Sequence, residues 1–404
     1  MQGRSERKMK IERALNRLLY SVSLRTAIAS KNHYYRRTME MHNRSIVETF
    51  AGDWDKKSRI EEYRAKVLPY WKRFGRRPDM YWFELAGSRE QKMDPRYIPS
   101  DLYYIELLPY MNNMQFRFAL EDKNYLDMRF SDVKQAPAVC RRIAGEYYDE
   151  KMKLIQPEDA VKLCMEREGE LFIKPALYTG FGRGIQSFVP AEYRADHGDE
   201  RAGEMIRELF RETGANCIVQ EKIRQHKVLS ELSPDSVCTI RVLSLFIEGK
   251  VYVPNVYLRV SIPGSSHVVV GSEYNAQILP DGSISHKICL DEGGWFDNHK
   301  EGIFPESTVI PGLDRVIEQA KKLHPRVSHL KWIGWDFTLD EDGDPLLIEF
   351  NTSPGDNAQR VCACPLFGRM TDWLLEDYFW HRSMEDNQLR GVWITNYDIS
   401  KYRE

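Results

Sequence analysis

Apolar positions along the chain change their spacing, and the change divides it. Up to about residue 90 they recur every three or four residues, the period of a helix. "ERALNRLLYSVSL" sets apolar residues at that spacing between arginines, and "DKKSRIEEYRAKVLPYWKRFG" is a longer amphipathic stretch ended by Gly75 and Pro78. The text from Asp101 to Asp132 is mixed. "PEDAVKLCMERE" then opens a helix behind Pro157, a residue suited to a first helical turn. Strand "ELFIKPA" follows, then a glycine-bearing loop, helix "DERAGEMIRELFRETG" closed by Gly214, and strand "NCIVQEKI". Residues 237–260 form a long hairpin about Glu248-Gly249, with both arms rich in Val, Ile, Leu and Tyr. A helix over 313–323 precedes a second hairpin, Trp332–Asn351. Strands and helices alternate without the beat of a parallel doubly wound sheet, which predicts an α+β fold on antiparallel sheets.

Composition adds limits. With 404 residues, 42% hydrophobic and 29% charged, the chain is that of a globular protein of two or three packed units. No apolar run approaches the roughly 20 residues of a membrane-spanning helix, and the basic N-terminus lacks the apolar stretch of a secretory signal. Seven cysteines, scattered and odd in number, argue against a disulfide framework. These features point to the cytoplasm. Net charge is −2, yet residues 1–45 hold eleven Lys or Arg against three Glu. Such an arm is expected to be a solvated helical extension, with a peripheral membrane or partner contact as the other reading. The final aromatic residues are expected to pack onto the body.

The second hairpin carries the chemistry. Asp342-Gly343 suits a two-residue type I′ turn, and with that turn Asp336 lies opposite Glu349, while Asn351 shares the face of Glu349. Facing carboxylates repel across a strand pair. Among Ile333, Phe337, Leu347, Ile348 and Phe350 they make sense around a cation. A carboxylate and amide oxygen set suits magnesium, which takes phosphate oxygens as further ligands. Asp336, Glu349 and Asn351 are therefore the predicted metal ligands.

Lys174 ends a short apolar strand and precedes Gly180, Gly182 and Gly184, whose backbone could approach phosphate oxygens. The order is not that of a P-loop. In the strand after it, Gln220, Glu221, Lys222 and Ile223 form a polar-centred segment where adenine could lie. Arg241 and Arg259 stand among apolar residues and need anionic partners, either a transferring phosphoryl group or a structural carboxylate. In ideal register about Glu248-Gly249 the two arginines face opposite ways, so both reach one site only if a bulge intervenes.

These residues resemble the ATP-grasp superfamily, most closely its sugar-transfer-associated branch, with similarity also to glutamate-adding ligases. The likeness covers roughly Tyr97 to Gly368. "IGWDFTLDEDGDPLLIEFNTSPG" is its most specific part. "EDKNYLDMRF" places a first nucleotide lysine at Lys123, "FIKPA…GFGRGI" the second at Lys174 with a phosphate loop, and "QEKIRQH…SVCTIRV" with "YLRVS" the adenine hinge and the two arginines. The resemblance implies an ATP-grasp fold: a helical basic region over 1–95, an ATP-grasp domain over 96–375 with a lid at about 120–220 and a metal and substrate part at about 221–375, and a packing tail over 376–404. It further implies ATP and two magnesium ions. The reaction would activate a carboxylate as an acyl phosphate that an amine attacks, with Arg241 and Arg259 holding the acyl phosphate.

One departure falls at "SIPGSSHVVVGSEYNAQ", where relatives carry Asn followed by paired glycines. Asn275 stands nearest that role, and the departure bears on the acceptor pocket. His299 lies where relatives often carry a histidine and is expected to be a capped loop residue, with a substrate-facing role as the other reading; Cys362 and Cys364 are expected to be packing residues, since a lone C-x-C has too few ligands for zinc. The leading expectation is an ATP- and magnesium-dependent carboxylate–amine ligase acting on a small or sugar-linked carboxylate and an amine, in polysaccharide or sugar-conjugate biosynthesis, with no nucleic acid partner. The alternatives are an ATP-grasp kinase acting on a hydroxyl and a nucleotide-binding scaffold of a polysaccharide assembly system.

Overall fold

The computed structural model of the protein describes residues 2–177, 184–264, 273–290 and 293–381. Between Gly3 and Gly52 the sequence holds neither proline nor glycine, and this stretch forms one helix, α1 (Gln2–Ala51), which ends where Gly52 takes φ +55°. Fifty residues at a rise of about 1.5 Å make a rod of roughly 75 Å. Its last turns carry Val47, Phe50 and Ala51 into the core, whereas Leu15, Leu18, Leu19 and Val22 are each more than half exposed. Ion pairs fasten the packed half: Arg36 meets Glu106 at 3.1 Å, and Glu48 meets Arg59, which also holds Glu84 at 3.1 Å. Short helices follow, among them Lys56–Glu62 and Met80–Ala86. The mixed stretch after Asp101 is helical turns ending at Arg129 rather than strand.

Six strands make the first sheet: β1 (Ala138–Ile143), β2 (Glu146–Asp149), β3 (Leu154–Ile155), β4 (Leu171–Pro175), β5 (Gln186–Phe188) and β6 (Cys217–Glu221), ordered β3-β2-β1-β6-β4-β5 and antiparallel throughout. Its core buries Val139, Ile173 and Val219 against Ala160, Ile206 and Phe210 of the helices Pro157–Met165 and Pro190–Thr213. The first of those helices is capped by Gln156 and Asp159 in a reciprocal box ahead of Pro157. The second begins nine residues before Asp199, where the sequence pattern starts it, and is broken at Gly198 (φ 77°).

Seven strands make the second sheet: β7 (Thr239–Ile247), β8 (Lys250–Ser261), β9 (Glu273–Ile278), β10 (Ile284–Leu290), β11 (Gly294–Asp297), β12 (Trp332–Leu339) and β13 (Pro345–Asn351), ordered β11-β10-β9-β8-β7-β12-β13 and again antiparallel. One face packs on the helix Leu313–Leu323 through Val316, Ala320 and Leu323. The other meets Phe50, Trp71, Phe83 and the helix Thr371–His381. Of the aromatic tail, residues 382–404 lie outside the described residues.

Both expected hairpins form, each with a twist in register. Glu248 (φ 49°) and Gly249 (φ 75°) make the I′-type turn of β7 and β8, and Ile247 pairs with Lys250. A bulge between Leu243 and Leu245 then shifts the pairing so that Thr239 faces Arg259. In the second hairpin the two-residue turn at Asp342-Gly343 is not what forms. Leu339 pairs with Pro345, and a wider loop is closed by Gly343 N–H to Asp340 O (2.8 Å), with only Gly343 at positive φ. Asp342 stays out of the left-handed region because the Asp340 carboxylate accepts from the N–H groups of Asp342 and Asp344, which stabilises the wider turn. A bulge between Asp336 and Phe337 offsets that shift, and Asp336 does pair with Glu349.

Candidate active site

The second sheet's central strands set their charged residues on the face that carries the N-terminal helices. The bulge in β7–β8 puts Arg259 opposite Thr239, two residues from Arg241, so both guanidiniums point the same way. Asp336 lies beside Arg241 on β12 and opposite Glu349 on β13. Arg241 grips Asp336 with both arms, Nε to Oδ1 and Nη2 to Oδ2 at 2.8 Å, while Arg259 Nη1 stands 3.7 Å from the same carboxylate. Arg259 is held in turn by Glu273, at 3.0 and 2.7 Å. Asn351 Nδ2 donates to Asp336 Oδ2 at 3.2 Å. Burial opposes the charge of Arg241 and Arg259, but Asp336 and Glu273 more than offset it, and both pKa values lie above the ordinary arginine value. Burial also pushes the Tyr257 phenol up to about 12.

Across the cleft stand the lysines. Lys123 opens a turn capped by Asp122, whose carboxylate accepts from Asn124 N–H at 2.9 Å, and its ammonium reaches Glu349 at 3.2 Å. Lys174, on β4, has no ion-pair partner among the described residues. Burial first, and the Lys123 charge second, push its ammonium down to about 8. Burial pushes the Glu349 carboxyl up, but Lys123, Lys174 and Arg241 more than offset this, and it titrates below the usual carboxylate range. Gly184 follows at φ +73°; Gly180 and Gly182 lie outside the described residues.

These groups line one cleft of about 1220 Å³. Gln220, Glu221, Lys222 and Ile223 form part of its wall. Their polar groups are partly committed: Glu221 and Lys222 N–H donate to Pro137 and Glu170 carbonyls, Gln220 Nε2 donates to Ala136 O at 3.1 Å, and Glu221 and Lys222 pair with Arg167 and Glu170. Glu121 also lines the cleft; it binds Arg117 and both the N–H and the hydroxyl of Thr352.

Asp336, Glu349 and Asn351 offer only oxygen donors suited to a hard cation, and their negative charge is balanced here by Arg241 and Lys123. They fit magnesium in kind. Among the described residues no group of three or more His, Cys, Asp or Glu converges as a metal site would; the predicted trio is two carboxylates and an amide. Asn275 is fully buried beside Arg259 in register, and its Oδ1 finds no partner among the described residues.

The sequence reading missed Glu273. Its signal was present: in "EYNAQI" polar and apolar residues alternate, and Glu273, Asn275 and Gln277 share one face of β9. His299 is exposed, its N–H capped by Asp297, and pairs with Glu306 at 2.8 Å. Cys362 is buried and Cys364 half-buried; burial pushes both thiols up, that of Cys364 to about 11. No cysteine lines the cleft among the described residues.

Two antiparallel sheets with helices, Lys174 from the first and the paired arginines and carboxylates from the second meeting Lys123 of an intervening turn in one cleft, define an ATP-grasp fold. The sequence matches the model of the sugar-transfer associated ATP-grasp family over residues 104–372, about two thirds of its length, and the chain belongs to that family. Among solved structures it is similar to the VanG D-Ala:D-Ser ligase of Enterococcus faecalis, with 17% identity over 64% of this chain and 61% of that chain (TM-score 0.38). It is similar also to the D-alanine-D-alanine ligase of Helicobacter pylori (15% identity, 65% of this chain, 61% of that chain, TM-score 0.35) and to the biotin carboxylase of Campylobacter jejuni (14%, 67%, 48%, TM-score 0.38). No curated protein matches the sequence. Among the described residues no helix is long and apolar enough to cross a membrane.

Proposed function

We propose that the protein is an ATP-dependent carboxylate–amine ligase that forms an amide by way of an acyl phosphate. The observation that carries this reading is the arrangement of charge: Lys123 and Lys174 on one side of the cleft, Arg241 and Arg259 on the other, with Asp336 and Glu349 between them. Bound magnesium–ATP would supply the phosphoryl group and neutralise charge around it. Lys123 and Lys174 hold phosphate oxygens; Arg241 and Arg259 stabilise negative charge on the transferred group and on the carboxylate that receives it. Asp336, Glu349 and Asn351 hold magnesium, while Gln220–Ile223 flank the adenine. The chemistry needs no side-chain nucleophile, and among the described residues the cleft offers no thiol. The domain limits expected from the sequence are proposed with it, the six-stranded sheet serving as the lid. The setting in sugar-conjugate or polysaccharide biosynthesis is proposed on the family description alone.

The test is product analysis with ATP, magnesium and panels of acids and amines. ADP and free phosphate should appear only when an acid and an amine are both present. Release of AMP and pyrophosphate would sink the acyl-phosphate route, and phosphate retained on a hydroxyl would make the protein a kinase.

A further inference from the structure

Beside the two arginines the sheet presents a third donor, which the reaction as drawn so far leaves unused. Tyr257 on β8 pairs directly with Arg241 on β7, so the two side chains share a face, and Arg259, two residues on, shares it as well. Tyr257 is only 1% exposed. It belongs to the buried cluster that also holds Ala358 and Val361, the ends of a short helix packed on β8. Yet it lines the cleft together with Arg241, Arg259 and Asp336. Tyr35 and Asn43 of α1 line the same cleft, and its volume of about 1220 Å³ leaves room for a second substrate beside a nucleotide.

The hydroxyl of Tyr257 is poorly matched within the protein. A buried O–H ordinarily bonds an oxygen at about 2.5–3.0 Å. Tyr103, also fully buried, does so: it donates to Pro354 O at 2.6 Å and accepts from Trp332 Nε1 at 3.0 Å. Among the described residues the Tyr257 hydroxyl reaches only Asn357 Oδ1, at 3.5 Å. It is a donor buried in the site wall with its hydrogen bond still to be made. It also differs in kind from its neighbours. Two guanidiniums suit the full charge of a phosphoryl group. A phenol is neutral at neutral pH, and a neutral O–H suits an oxygen whose charge is partial and grows during reaction. In an acyl phosphate that oxygen is the carbonyl, one bond away from the group the arginines would hold.

We propose that Tyr257 is a catalytic residue whose hydroxyl donates a hydrogen bond to the acyl oxygen of the activated carboxylate. This rests on the ligase reading for the reaction it serves. The amine nitrogen bonds to the acyl carbon, and the carbonyl electron pair moves onto the oxygen held by Tyr257. The pair returns as the bond from that carbon to the phosphate oxygen breaks, and the phosphate leaves with the amine's proton as hydrogen phosphate. Tyr257 keeps its own proton throughout.

Full-length protein saturated with ADP and magnesium is titrated with acetonylphosphonate, a stable analogue of an acyl phosphate, and with propylphosphonate, which lacks the carbonyl; phosphorus NMR reads both. The wild type should prefer the carbonyl compound about fivefold or more, and Tyr257→Phe should abolish that preference while mant-ADP affinity stays within about twofold. The urea midpoint should hold or rise in Tyr257→Phe. Tyr103→Phe, which breaks a well-made buried bond, should lower the midpoint and keep the preference. With an acid and amine that yield ADP, Tyr257→Phe should lower kcat about 10- to 100-fold with little change in KM for ATP. The proposal is overturned if neither phosphonate binds, if the wild type shows no preference, or if Tyr257→Phe keeps the preference or full kcat. It is overturned too by parallel loss of mant-ADP affinity, or by loss of the preference in Tyr103→Phe as well. A protein that shows the preference and its loss, yet makes no ADP with any acid and amine, retains Tyr257 as the ligand of the acyl oxygen and loses the ligase reading.

Discussion

Two charge clusters face each other across the cleft, and they are finished to different degrees. Arg241 and Arg259 meet Asp336 and Glu273, two positive charges against two negative, with bidentate contacts in a buried setting. Lys123 and Lys174 meet Glu349 alone, which leaves one positive charge over, and the ammonium of Lys174 is the one pushed down to about 8. The arginine cluster is complete in the free protein and holds four strands in register. The lysine cluster is incomplete and gains most from an arriving anion. On the proposed reading the balanced cluster positions and the unbalanced one binds.

The most severe way to break that contrast is Asp336→Ala. It strips both guanidiniums of a shared counter-charge, and a buried pair broken from one side costs about 3–5 kcal/mol. Urea denaturation should show that loss, and ATP-dependent ADP release should fall about 100-fold or more. Lys174→Met should separate binding from folding. Nucleotide affinity, read by mant-ADP titration, should weaken about 10- to 100-fold, while the denaturation midpoint at neutral pH holds or rises, because a desolvated charge has gone. A fall in stability matching that of Asp336→Ala would erase the distinction.

The smallest effect is one of pH. An unfolded lysine keeps its proton to about 10.4, whereas folded Lys174 releases it at about 8. Between these values the unfolded state binds more protons, so the contribution of this group to stability rises with pH; below 8 its full cost is present. Nucleotide phosphates favour the charged form. ADP binding near pH 8.5 should therefore take up a fraction of a proton, seen by calorimetry in buffers of different ionisation heat. The uptake should fade by pH 6 and be absent in Lys174→Met.

Much of this architecture is legible in the residues because it is local. Glu248-Gly249 states its turn, the apolar spacing of 313–323 its helix, and the alternation around Asp336 and Glu349 a strand pair with charged residues turned to one side. The bulges are not legible, since no residue type demands an extra position at Leu243–Leu245 or after Asp336; packing on both faces of the sheet sets them. Strand β1 escapes notice because Arg141 and Arg142 interrupt its apolar pattern, Arg141 being buried against the carbonyls of Asp149 and Glu150. The place of α1 in the cleft is a tertiary fact. The basic residues that suggest a solvated arm are real, but Arg36 pairs with Glu106 and Arg44 lies against the Tyr81 ring, and both contacts fasten it.

The two bulges also act as phase corrections. A strand has a side-chain period of two, so a count begun at a turn fixes which face each residue takes only while nothing slips. Each hairpin slips once between its turn and its charged residues, and the two slips bring Arg241, Arg259, Asp336 and Glu349 into phase. The charged end is thereby decoupled from the loop end. A turn of another length would leave this arrangement of charge in place, provided the pairing beyond the bulge is kept.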